Sequence, residues 1–234
     1  MKAILLAGGE GRRLRPYTHV LPKPLMPVGG RPILERIVEQ LREAGFTDLT
    51  FAVGYLASII ETYFGDGSRF GVNITYSLET KKLGTAGPLG LIDKPDDHFL
   101  VMNGDILTDL DFGAFMQAHK ESNALATLAV FQKDVPISLG VLELNDAKEI
   151  TGYIEKPTLH YPVSTGMYCF DPAVHDLIEP NEYLDLPDLV LRLVASGKKV
   201  LGHEFDDQWL DIGRPTDYEA AEELMSGPRK TSEG

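Results

Sequence analysis

The sequence predicts an α/β fold: a mixed, mainly parallel central sheet with helices on both faces. Two observations carry this reading. Short apolar runs of strand length recur at Lys2–Ala7 and at residues 49–53, 72–77, 98–102 and 124–130. Helical patterns lie between the early ones. Strand alternating with helix is the mark of βαβ crossovers and parallel pairing.

The clearest helix covers residues 32–44, where Ile33, Leu34, Ile37, Val38 and Leu41 recur at the spacing of one buried face. Pro32 suits its first turn and Gly45 a stop. Further helices are expected at 56–64 and 112–121. The second half reads differently, with consecutive strands at 138–144, 149–155 and 165–171 before helices return at 185–196 and 215–225. That run of strands makes the sheet mixed.

A hydrophobic fraction of 43% fills a core, so the 234 residues read as globular. A net charge of −13 argues against a nucleic-acid partner, which would demand a basic face. It leaves phosphorylated substrates open, because a local cluster of cations can oppose the global sign. Cys169 is the lone cysteine, which excludes an internal disulfide framework, and its apolar neighbours predict a buried thiol. The first apolar run is too short for a signal peptide, and no run approaches the roughly 20 residues of a membrane span. A soluble cytoplasmic protein with no membrane partner is the expectation, and a homo-oligomer is compatible with it.

Gly8, Gly9 and Gly11 directly follow the first strand, at the carboxyl end where open α/β sheets bind ligands. Glycines there let the backbone approach a phosphate and point N–H groups at it. Two familiar patterns do not fit. The dinucleotide pattern needs glycine at position 14, where Leu14 stands, and the Walker A pattern needs Gly-Lys before Ser or Thr, whereas Lys199 follows Gly197-Lys198. The loop leads instead into a set of cations: Arg12, Arg13, Arg15 and Lys23, the last between Pro22 and Pro24. Cations beside a glycine loop suit a triphosphate, whose charge must be offset before a nucleophile can approach. A tight turn with a solvated basic face would explain the glycines alone, but not a lysine fixed between prolines.

The run Leu6-Ala-Gly-Gly-Glu-Gly-Arg-Arg-Leu-Arg-Pro16, then Thr18 and Pro22-Lys-Pro24, resembles the signature of the sugar-1-phosphate nucleotidyltransferase (nucleotide-sugar pyrophosphorylase) family. Members join a nucleoside triphosphate to a sugar 1-phosphate and release pyrophosphate. The resemblance implies a three-layer, Rossmann-like (GT-A-like) catalytic domain over residues 1–225. Its nucleotide half would run to about residue 110 and its sugar-phosphate half from about 111, with 226–234 a flexible tail. It implies nucleotide contacts from Leu6, Ala7, Gly8, Gly9 and Gly11, Arg13 on the β- and γ-phosphates, and Lys23 near the reacting phosphates. Arg12 replaces a residue that is often small or polar in relatives, so its role stays open.

Downstream, Val101-Met-Asn-Gly-Asp105 and Trp209-Leu-Asp211 each end an expected strand on a carboxylate. Two such carboxylates suit Mg²⁺, which binds one or two carboxylates plus substrate phosphates. In this order Asp105 and Asp211 resemble the family's metal aspartates, while Asp109 and Asp111 read as loop or helix-capping residues. Ile154-Glu-Lys-Pro157 resembles the family's second lysine motif, implying Lys156 on the sugar phosphate and Glu155 on sugar hydroxyls. Gly140, Thr165 and Gly166 fall where relatives line the sugar pocket.

The segment Glu79-Thr-Lys-Lys-Leu-Gly-Thr-Ala-Gly-Pro88 resembles the base-reading loop, implying nucleotide contacts from Glu79, Gly84 and Thr85. A carboxylate at position 79 can accept two hydrogen bonds from guanine, where an amide would suit uracil or thymine. The loop also looks closest to the mannose-1-phosphate and heptose-1-phosphate guanylyltransferase branch. GTP is therefore the expected nucleotide, with UTP or dTTP the alternative. The implied reaction is in-line attack of the sugar phosphate on the α-phosphorus, which needs no general base. The six histidines show no paired spacing that would supply one. A non-catalytic relative that only binds nucleotide sugar would be expected to lose a motif lysine or aspartate, and here all are kept.

Overall fold

The first strand shows how the layers arise. In β1 (Lys2–Ala7), Ala3, Leu5 and Ala7 point into one apolar core while Ile4 and Leu6 point into another. A strand buried on both faces needs a helical layer on each side. The structure, a computed structural model, describes residues 1–226; apart from Ser226, the expected tail at 226–234 lies outside them.

After β1 the chain makes a short hairpin, β2 (Pro27–Val28) and β3 (Arg31–Pro32), and enters α1 (Ile33–Glu43). Next come β4 (Asp48–Val53), α2 (Ala57–Phe64), β5 (Asn73–Leu78), β6 (Phe99–Asn103), β7 (Ile106–Thr108) and α3 (Phe112–Ser122). The second half contains β8 (Ala126–Pro136), β9 (Val141–Leu144), β10 (Ile150–Ile154), β11 (Thr158–Phe170), α4 (Leu186–Ala195), β12 (Val200–Phe205), β13 (Trp209–Asp211) and α5 (Pro215–Ser226). Seven strands form the central sheet in the order β12-β8-β11-β6-β1-β4-β5. Only β11 runs antiparallel to both its neighbours; every other pairing in the sheet is parallel. The mixed, mainly parallel sheet is as expected.

On one face α1, α2 and α3 bury Ile37, Leu41, Ile60, Phe64, Phe115 and Met116. On the other, α4 buries Leu186, Leu189 and Leu193. Asp111 caps α3 by accepting from the Ala114 N–H at 2.9 Å, the capping role expected of it. Cys169 is fully buried, and burial pushes its thiol pKa up, so it packs as a small hydrophobe. Among the described residues no helix is long and apolar enough to cross a membrane.

The second half departs from expectation. β8 and β11 run well past their expected limits as a paired ribbon, Thr158–Ser164 opposite residues 130–136. The outer part of the ribbon is exposed on both faces, so its side chains carry no burial alternation for periodicity to detect. β9 and β10 do not join the main sheet; they form a separate hairpin at the ribbon's end.

Candidate active site

A cavity of about 540 Å³ opens at the carboxyl ends of β1 and β4. Leu6, Ala7, Gly8, Gly9, Gly11, Arg13, Lys23, Glu79, Gly84, Thr85 and Asp105 all line it. The structure thus gathers most of the expected site from four separate stretches of chain. Gly11 has φ +59°, and a Cβ there would lie 2.8 Å from Thr18 Cγ2. The Thr18 hydroxyl donates to the Gly11 carbonyl at 2.9 Å, so Thr18 braces the loop from behind.

Lys23 sits in a tight turn between its two prolines, its side chain only 10% exposed. Its ammonium donates to Asp105 Oδ2 and lies 3.9 Å from Asp211 Oδ1. The two aspartates meet because β7 pairs antiparallel with β13, which sets Asp211 opposite Ile106, and the Ile212 N–H donates to the Asp105 carbonyl at 3.2 Å. Partial burial, then the Asp105 charge, raises the Asp211 pKa. Asp105 Oδ1 is buried without a hydrogen-bond partner. A buried, unpartnered carboxylate oxygen beside a second carboxylate whose charged form is disfavoured fits a divalent cation. Among the described residues no third acidic, His or Cys ligand joins them, which suits a metal that draws its remaining ligands from phosphate and water. Arg13 packs its guanidinium over Gly213, and its charge acts on Asp211.

Arg12 has a different partner. Glu10 takes Arg12 at 2.7 Å, Lys82 at 2.6 Å and Arg15 at 3.5 Å, and the Arg12 bond, followed by that from Lys82, holds the Glu10 carboxyl down at about 2. Sequence reasoning misses Glu10, whose one signal is an acid set among arginines. Glu79 packs against Gly8 and Gly54, and one oxygen accepts from the Leu83 N–H at 3.3 Å. Burial raises its pKa. Thr85 ties the loop to α4: its hydroxyl donates to Asp185 and accepts from the Leu186 N–H at the start of that helix.

A second cavity of about 440 Å³ adjoins the first, sharing Thr85 and Asn103 with it and lined further by Thr165, Gly166, Asp185, Trp209 and Asp211. Gly166 has φ +78°, and a Cβ there would meet Asn103 Nδ2 at 2.6 Å. The Thr165 hydroxyl turns away to the Ala129 carbonyl, leaving backbone toward the cavity, and Trp209 Nε1 donates to the Thr165 carbonyl at 3.2 Å. The remaining expected sugar-side residues stand elsewhere. Gly140 lies against Tyr153, whose hydroxyl donates to Glu155 at 2.9 Å, and Lys156 pairs with Glu155 at 3.7 Å. Gly140, Glu155 and Lys156 thus cluster with one another at the end of the β8–β11 ribbon and line neither cavity.

The pattern of nucleotidyl transferases matches residues 2–226. The chain belongs to the nucleotidyl transferase family. Among its relatives, a UTP–glucose-1-phosphate uridylyltransferase from Synechocystis is 41% identical across 93% of this chain and 61% of its own length. A mannose-1-phosphate guanyltransferase from Yarrowia lipolytica is 36% identical across 93% and 62%. The chain therefore spans less than two thirds of the length of these curated relatives. Both a uridylyltransferase and mannose-1-phosphate guanyltransferases are thus among the relatives, the expected guanylyl branch with them. Of solved structures, one described as a glucose-1-phosphate thymidylyltransferase from Bacillus anthracis, in complex with sucrose, superposes with a TM-score of 0.80 at 28% identity over all of this chain and 97% of that one. HddC from Yersinia pseudotuberculosis, 22% identical with a TM-score of 0.72 over 95% of this chain and 98% of that one, shares the Rossmann-like fold.

Proposed function

We propose that this protein transfers a nucleotidyl group from a nucleoside triphosphate, GTP by preference, to a sugar 1-phosphate, giving a nucleotide sugar and pyrophosphate. The observation that carries the reading is the meeting of Lys23, Asp105 and Asp211 at the glycine loop, where the two cavities adjoin. The first cavity takes the nucleotide: backbone from Gly8 to Gly11 faces its phosphates, and Arg13 and Lys23 offset their charge. The second takes the sugar 1-phosphate. On this assignment the nucleotide half runs to about residue 110 and the sugar-phosphate half from about 111 to 225.

Asp105 and Asp211 would hold Mg²⁺, which when bound neutralises phosphate charge at the reacting centre. The chain's own residues align the two substrates, so that a phosphate oxygen of the sugar 1-phosphate faces the α-phosphorus with pyrophosphate opposite. That oxygen is already ionised at neutral pH, so no protein base is required. Glu79 supports GTP because its second oxygen is not bound by the Leu83 N–H and can accept from a guanine edge. The 41% identity to a uridylyltransferase makes UTP the competing reading.

The test is pyrophosphate release with Mg²⁺, each triphosphate in turn and a panel of sugar 1-phosphates. GTP should give the fastest turnover. Faster turnover with UTP or dTTP overturns the base assignment, and no release with any pair overturns the activity.

A further inference from the structure

The positive charge around the first cavity falls into two groups, and the protein neutralises only one of them. At the reacting centre Lys23 meets Asp105 and Asp211, and the charge of Arg13 also acts on Asp211, so two cations stand against two carboxylates. Nearer solvent, Arg12, Arg15 and Lys82 all converge on Glu10, so three cations share one carboxylate. Among the described residues no other carboxylate pairs with any of the three. A cluster of surplus positive charge beside a cavity, in a chain of net charge −13, calls for an anionic ligand.

The contacts within the cluster have the form of a phosphate site. Arg12 presents one edge of its guanidinium, with Nε 2.7 Å from Glu10 Oε2 and Nη2 3.2 Å from Oε1. That two-point fork fits two oxygens of a phosphate as well as two of a carboxylate. Lys82 brings its ammonium to Oε1 at 2.6 Å from the loop that follows Glu79. Glu10, Arg12 and Lys82 all line the first cavity, so the carboxylate ties its two flanking loops together. Held down at about 2 by the Arg12 bond and then by Lys82, the Glu10 carboxyl is ionised at any working pH and competes with an incoming phosphate for the same donors. Arg12 and Lys82 are 65% and 68% exposed, and pairs so exposed are weak, so one anion can replace another at little cost.

We propose that Arg12 and Lys82 are a second pair of phosphate-binding cations, taking the outer phosphates of the triphosphate, and that Glu10 holds them in place until those phosphates displace it. This rests on the assignment of the first cavity to the nucleotide, and it gives Arg12 the role its sequence left open. The pair serves the outer phosphates because it stands apart from the reacting centre. The charges that act most on Asp211 are those of Asp105, Lys23, Arg13 and Asp217, with neither Arg12 nor Lys82 among them. Arg15, 3.5 Å from Glu10 and outside the cavity lining, remains to partner the carboxylate once it is displaced.

Calorimetric titration with inorganic tripolyphosphate and Mg²⁺ reads the pair without a base or a sugar. Arg12→Ala and Lys82→Ala should each weaken binding about five- to tenfold, the range for one charge-assisted contact at an exposed site. Glu10→Gln keeps the side chain's shape, removes the competing charge and should tighten binding about threefold or more. Because the pairs are exposed, all three variants should melt within about 2 °C of the parent. No measurable tripolyphosphate binding by the parent, or binding of parental strength in both cation variants, overturns the proposal. A Glu10→Gln protein that binds no more tightly than the parent overturns it too. Residues that merely shape the loop would weaken a nucleoside monophosphate as much as tripolyphosphate, so equal losses for the two also refute it. In turnover, the two cation variants should raise KM for the triphosphate and leave KM for the sugar 1-phosphate unchanged; a triphosphate KM unchanged in both sinks the pair and leaves the activity standing. Absence of pyrophosphate release from a protein whose tripolyphosphate affinities follow the expected pattern would instead count against the proposed transfer alone.

Discussion

Replacing Lys23 by Met isolates the charge balance at the centre of the site. Met keeps the length and apolar packing of the stem and removes the ammonium, leaving Asp105 and Asp211 to face each other uncompensated. At 3.9 Å a unit pair is worth about 4 kcal/mol with an effective dielectric of 20. Asp211, 47% exposed, recovers part of that from solvent. Asp105, with 22% exposure and one oxygen already unpartnered, recovers less. Removing one partner of a buried pair costs roughly 3–5 kcal/mol, and the exposure of Asp211 places this case at the low end, about 3 kcal/mol. For a chain of this size that lowers Tm by roughly 6–12 °C. Loss of one charge facing the phosphates should reduce turnover by roughly 10²–10³-fold. Because the lysine competes with a metal for the same carboxylates, millimolar Mg²⁺ should raise the Tm of Lys23→Met more than that of the parent. Differential scanning fluorimetry with and without Mg²⁺ reads this out. A variant melting within about 2 °C of the parent, with equal Mg²⁺ shifts in both, would refute the reasoning.

Two glycine substitutions should separate binding from folding. A Cβ on Gly9 meets nothing within 4 Å, so Gly9→Ala should leave Tm within a few degrees while raising KM for the triphosphate roughly tenfold or more, because the methyl group fills space beside the phosphates. At Gly166, the positive φ and the contact with Asn103 together predict about 2–4 kcal/mol of lost stability for Gly166→Ala, read as a lower urea midpoint. Equal Tm losses for the two would contradict the placement of Gly9 facing open ligand space. His119 is fully buried, its pKa pushed down to about 4 by burial and then by the charge of His98. The folded value lies below the unfolded value of about 6.5, so the neutral ring's stabilisation is complete above that pH and is lost as pH falls towards 4. The loss amounts to at most about 3 kcal/mol. Urea unfolding from pH 7 to 4.5 should show this slope, and His119→Gln should flatten it; an unchanged slope would assign the acid sensitivity elsewhere.

Features carried by local repetition were legible along the chain. The five apolar positions of α1 share one helical face and every one is buried. The glycine loop, its arginines and Lys23 between prolines specified a phosphate site because each depends on neighbours a few residues away. Asp105 and Asp211 were legible only as separate strand ends. Their meeting depends on the β7–β13 ladder, three residues on each side joining segments about a hundred residues apart, too short to show a period. The position of Lys156 was the least legible of all. The motif around it resembles a phosphate-binding one, yet the β8–β11 ribbon sets it apart from both cavities, and that ribbon is solvated on both faces and leaves no pattern of burial in the chain. Burial writes periodicity into a sequence, and where surfaces are solvated or pairings are short and distant, only the tertiary structure places the chemistry.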